Sequence, residues 1–148
     1  MGDIYFNGSL LAAGKVKLNG TVMQDVYFNG TLLWSYDYSL TVSSSAQQLN
    51  LATYASSNGW NGSAPLVITI ASGVHITSSS PSTAAISTGS CPGGLTILNS
   101  GNIHGDGGNG GNATNGYGPG YDGGAGGHAI LVTNSTSLSV TNNSGGVI

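Results

Sequence analysis

Apolar residues in this chain come in short runs, each stopped by Gly, Ser, Pro or Asn. Leu66-Val-Ile-Thr-Ile70, Val74-His-Ile-Thr77, Ala84-Ala-Ile86 and Leu95-Thr-Ile97 have the length and composition of strands bounded by turns. Successive strand side chains point to opposite faces, so His75 lies opposite Val74 and Ile76, as a solvated strand-face residue. A different period holds near Asn50: Leu51, Tyr54 and Ala55 share one face at i, i+3, i+4 spacing. Asn50 is placed to cap that helix and Gly59 to end it, about two turns later. Trp60 then plugs the helix onto a sheet.

The first 35 residues carry a repeat. Asp3-Ile-Tyr-Phe-Asn-Gly-Ser-Leu-Leu11 returns as Asp25-Val-Tyr-Phe-Asn-Gly-Thr-Leu-Leu33, with Lys17-Leu-Asn-Gly-Thr-Val-Met23 between them. Asn-Gly between apolar residues predicts tight hairpins at Asn7-Gly8, Asn19-Gly20 and Asn29-Gly30, because both residues accept the positive φ of a type I′ turn. Strands this short cannot enclose a core. Tyr5, Phe6, Tyr27, Phe28, Leu33 and Trp34 are therefore expected to need cover, from a partner or from the rest of the chain.

Residues 101–128 hold half of the 26 glycines. Gly105, Gly108 and Gly111 keep a spacing of three, as do Gly120, Gly123 and Gly126 after an interruption. Three is the period of the polyproline II helix, which makes no internal hydrogen bonds. Glycine-lined helices of that type can pack backbone to backbone; a flexible Gly/Asn linker is the other reading. A strand-then-turn unit brackets the stretch: Leu95-Thr-Ile-Leu-Asn-Ser-Gly-Asn-Ile103 is echoed, with one residue inserted, from Leu138 to Ile148. That echo predicts a chain that goes out through a loop and returns to the same sheet.

Composition narrows the function. Charged residues make up 5% of the chain, with no Arg and no Glu, against roughly 25% in ordinary globular proteins. With a net charge of −3 and no basic run, nucleic-acid binding through phosphate contacts is not expected. No apolar run approaches the roughly 20 residues of a membrane span, and the first residues lack a signal-peptide pattern, so synthesis in a cytoplasm without export is expected. Cys91 has no second cysteine to pair with and is read as a packing residue. The Asn-Gly-Ser/Thr sequons are read as by-products of the turns.

Candidate chemistry is sparse. His104, Asp106, Asp122 and His128 are the titratable groups of the glycine region. Two partial matches to the calcium-binding Gly-Gly-x-Gly-x-Asp roll carry His128 and Asn112 where the Asp belongs. The sequence shows no acid pair in one local motif, no Gly-x-Ser-x-Gly elbow, no His-x-x-x-His pair and no phosphate loop. A non-enzymatic protein without metal or cofactor is expected. Where the glycine period fails, Thr114, Asn115, Tyr117, Tyr121 and Asp122 form a polar-aromatic segment. Tyr supplies contact area at small entropy cost, and Asn and Gly supply adaptable hydrogen bonding. This is a candidate binding loop.

Trp60-Asn-Gly-Ser, Ile70-Ala-Ser-Gly-Val, Thr88-Gly-Ser, Leu98-Asn-Ser-Gly-Asn-Ile and the Gly-Gly-Asn-Gly-Gly run resemble the receptor-binding tips of tailed bacteriophages. These are the glycine-rich distal adhesins of T-even-like long tail fibres and the C-terminal parts of central tail-tip proteins. The resemblance covers roughly residues 40–148 and implies a bundle of polyglycine II helices with variable loops that touch the bacterial surface receptor. Carried over, Gly105, Gly108, Gly111, Gly120, Gly123 and Gly126 are scaffold, and Thr114 to Asp122 is the receptor loop.

The expectation is thus a mainly β virion protein at the distal end of a phage tail. Residues 1–38 form a β-hairpin segment attaching to tail proteins, residues 39–100 a small β domain with one short helix, and residues 101–148 a polyglycine II tip with closing strands. A homotrimer would supply six glycine helices. The alternative is a purely structural minor virion protein that touches no receptor.

Overall fold

The computed structural model describes residues 37–112, 121–134 and 137–148, together with the backbone of short strands between residues 5 and 35. Those short strands pair as three antiparallel hairpins. β1 (Tyr5–Phe6) pairs with β2 (Ser9–Leu10), β3 (Lys17–Leu18) with β4 (Thr21–Val22), and β5 (Asp25–Phe28) with β6 (Thr31–Ser35). Each expected Asn-Gly pair falls between the two strands of one hairpin, where such a turn belongs.

From residue 38 onward all strand pairing is parallel, among the described residues. The chain winds in coils, each laying one strand on each of three sheets. The first coil is β7 (Tyr38–Val42), β8 (Ala46–Gln47) and β9 (Leu49–Asn50). The helix α1 (Leu51–Ser57) leads to the second, β10 (Leu66–Ile70), β11 (His75–Thr77) and β12 (Ile86–Ser87). The third is β13 (Leu95–Asn99), β14 (Asn102–His104) and β15 (Ile130–Leu131). A fourth begins with β16 (Leu138–Asn142) and ends as Val147 bridges Asn102. The first sheet therefore runs β16-β13-β10-β7, the second β14-β11-β8 and the third β15-β12-β9. This is a parallel β-solenoid, in which each coil buries its apolar face against its neighbours.

The alternation along each strand explains why the stack holds. In β10 and β13 every second residue is buried: Leu66, Ile68 and Ile70, then Leu95, Ile97 and Asn99. The ladders are in register, so Leu40, Ile68, Ile97 and Val140 form one inward column. Ile68 and Ile97 are fully buried, and each contributes roughly 1.5–3 kcal/mol. On the other two sheets Ile76, Ile103 and Ile86 fill the interior.

The helix occupies the predicted place. Asn50 caps it by accepting a bond from the Thr53 amide at 2.9 Å. Leu51 and Ala55 are buried and Tyr54 packs against the core. Gly59 follows with φ +94°, a left-handed turn that a residue with a Cβ adopts at a cost. Trp60 is buried, and its indole N–H donates to the Ala64 carbonyl at 2.9 Å.

Three features depart from expectation. The first-coil strands β7, β8 and β9 were not foreseen. The echo between residues 95–103 and 138–148 is a coil-to-coil match, but the pairing leaves four residues between Asn142 and Val147 against two between Asn99 and Asn102. Two residues are inserted, not one. Finally, the echoed units do share a sheet, β16 pairing with β13, but the glycine stretch between them leaves the second sheet at His104 and comes back first to the third at Ile130.

Candidate functional site

The glycine stretch is an arm inserted at the corner between β14 and β15. Its outgoing limb, residues 105–112, and its return limb, residues 121–128, run antiparallel and are joined by amide-to-carbonyl bonds. Gly127 donates to Asp106 at 2.8 Å, Gly124 to Asn109 at 2.7 Å, and Tyr121 to Asn112 at 3.1 Å. Donors and acceptors both recur every third residue. Neither limb contains a regular strand.

Side-chain-free backbone is what lets the limbs meet. A Cβ on Gly105, Gly108 or Gly111 would overlap the carbonyl oxygens of Gly127, Gly124 and Tyr121 in turn. A Cβ on Gly123 or Gly126 would come within 3.1 Å of Asn109 O or 3.2 Å of Asp106 O, a milder crowding that a small shift relieves. Gly107 and Gly110 differ: a Cβ there would meet nothing within 4 Å. Five of the six expected scaffold glycines therefore line the contact between limbs. Gly120 lies outside the described residues.

The foot of the arm is fixed by a segment that carried no signal beyond its turn-like composition, Ser78 to Thr83. The half-exposed foot residue Gly127 lies against the carbonyls of Thr83, Pro81 and Ser80. Ser78 is buried; its hydroxyl accepts from the Asp106 amide at 2.7 Å and donates to the Ser80 carbonyl at 3.2 Å. Ser78 N donates to His104 O at 3.1 Å and Ala85 N to His128 O at 3.0 Å. Both ends of the arm are thus tied to the second coil. A run of serines reads as loop in sequence, and only the pairing of coils shows which hydroxyl is enclosed.

At the far end, Tyr121 is 72% exposed and Asp122 is exposed. Thr114, Asn115 and Tyr117 lie outside the described residues. The expected attachment residues fall in the hairpins: Tyr5 and Phe6 in β1, Tyr27 and Phe28 in β5, Leu33 and Trp34 in β6. Their pairing is antiparallel, with Tyr5 opposite Leu10 and Val26 opposite Trp34.

Other chemistry is thin among the described residues. A shallow groove of about 180 Å³ on the first sheet is lined by Asp37, Val67, Thr96 and Ser139, among others. It offers one carboxylate with hydroxyls. No group of three or more His, Cys, Asp or Glu could hold a metal ion, and no helix is long and apolar enough to cross a membrane. Cys91 is fully buried, and burial pushes its thiol above the ordinary value.

The family model for the phage tail fibre adhesin Gp38 matches residues 37–148. No curated protein and no solved structure matches the chain. The match takes in every coil of the solenoid and the whole glycine arm, and begins where the hairpin strands end. The chain belongs to the phage tail fibre adhesin Gp38 family.

Proposed function

We propose that this protein recognises a bacterial surface receptor through the end of the glycine arm, with Thr114, Asn115, Tyr117, Tyr121 and Asp122 as the contact residues. The observation that carries this reading is the arm itself. It is a doubled backbone, bonded every third residue, footed on the second coil and exposed at Asn112 and Tyr121, where the described limbs end. Such an arm is a rigid presenter for an adaptable Tyr/Asn/Gly loop. The spacing of its bonds supports two polyglycine II helices packed side by side. The hairpins of residues 5–35 serve as the attachment to the tail fibre, through Tyr5, Phe6, Tyr27, Phe28, Leu33 and Trp34. The activity is binding, without catalysis or cofactor.

A homotrimer would bring six limbs together, and the open space around Gly107 and Gly110 leaves room for a neighbouring limb. Sedimentation equilibrium tests the trimer separately from the receptor.

Replacing Tyr117 and Tyr121 with Ala should abolish adsorption to susceptible cells while particles still assemble. Unchanged adsorption by the double variant rejects the arm as the receptor site. Removing residues 1–35 should release the protein from the tail without unfolding it.

A further inference from the structure

His75 in β11 and His104 in β14 share the outer face of the second sheet. In this parallel pair His75 stands opposite Asn102 and Thr77 opposite His104, so the two imidazoles are diagonal neighbours two positions apart. Their ring centroids are 6.4 Å apart and their planes 23° from parallel. Both residues are exposed. Among the described residues, no ring nitrogen of either has a hydrogen-bond partner.

We propose that His75 and His104 form a two-histidine site for a divalent first-row transition ion such as Zn²⁺, Ni²⁺ or Cu²⁺. Imidazole nitrogens suit these ions, whereas Ca²⁺ and Mg²⁺ prefer oxygen. Metal–nitrogen bonds of about 2.0–2.1 Å place two rings that share one ion with their centroids about 5–6 Å apart. The observed separation is close to that value, and exposed side chains change rotamer freely. The strands beneath are held by ladder bonds, so little backbone ordering is needed on binding. Water fills the other coordination positions, because the pair faces solvent. With two protein ligands the site is weaker than a four-ligand structural zinc site.

The ion would tie together the two strands that build the foot of the arm. β14 runs directly into Gly105, and β11 ends one residue before Ser78. The proposal stands independently of the receptor reading.

The test is a titration of the whole chain with ZnCl₂ or NiCl₂ alone, followed by calorimetry and by thermal melting. The expected result is one saturable site and a Tm that climbs with metal concentration, as binding to the folded state requires. Both signals should disappear in His75→Ala and in His104→Ala, and persist in His128→Ala. CaCl₂ should produce neither. Circular dichroism verifies that the exposed-site variants fold. The proposal is overturned if the wild-type chain shows no saturable binding, if the double variant His75→Ala/His104→Ala still binds as the wild type does, or if CaCl₂ gives the same response.

Discussion

The side-chain amide of Asn99 donates to Oδ1 of Asn142 at 2.8 Å, linking the third coil to the fourth at the same corner. Asn99 is fully buried and also donates to the carbonyls of Gly101 and Val147, while its own oxygen accepts from the Gly101 amide. Every polar atom of the side chain is used. Asn99→Ala orphans the buried Gly101 amide, at a cost of roughly 1–3 kcal/mol, on top of the space the side chain leaves, while the Gly101 and Val147 carbonyls keep their bonds from the Val147 and Ile103 amides. Urea unfolding should therefore show a loss of about 2 kcal/mol or more. A loss below about 0.5 kcal/mol would mean that water replaces the amide.

Two glycines one position apart in the arm should behave differently. Gly108→Ala drives a methyl into the Gly124 carbonyl, whereas Gly107→Ala enters open space. Hydrogen exchange at the Gly124 and Gly127 amides should speed up in the first variant and stay unchanged in the second. The melting temperature should barely move in either, since the arm adds nothing to the solenoid core. Equal exchange in both variants would show that the limbs do not depend on close backbone contact.

The inward column of the first sheet predicts a gradient of mutational cost. Ile97 is fully buried between β10 and β16, while Val140, on the same column in the last coil, is 40% exposed. Ile97→Ala should cost about 2–5 kcal/mol, and Val140→Ala under about 1 kcal/mol. Chemical denaturation of the two variants side by side checks the difference.

Cys91 should be silent in the native protein. Its side chain is fully buried, and burial raises the thiol above its ordinary range, so little reactive thiolate forms. A thiol reagent at neutral pH should label it only in denaturant. Fast native labelling would show that this part of the core opens readily.

Much of the local structure could be read from the residues themselves. Asn50 and Gly59 marked the ends of the helix, Leu66-Val-Ile-Thr-Ile70 is a strand over its full length, and the three Asn-Gly pairs sit inside hairpins. The spacing of three in the glycines became the spacing of the bonds between the limbs. The solenoid was not legible, for a physical reason. Its first-sheet strands begin at residues 38, 66, 95 and 138, and a helix and an arm inserted between coils hide the repeat. Strands of two residues, such as β8 and β12, are too short to show a period at all. Their place is set by the longer strands above and below. Ser78 was missed likewise, since one hydroxyl among many becomes an anchor only once the coil beneath the arm is known.

The bonds between the limbs carry a further consequence. Donors at residues 121, 124 and 127 face acceptors at 112, 109 and 106, so the arm's length is counted in units of three. Adding or deleting one triplet in each limb keeps every remaining bond in phase and leaves the coils beneath undisturbed. A single-residue change in one limb would break that phase. The reach of the tip can thus be altered in discrete steps, by genetic events too small to endanger the fold that carries it.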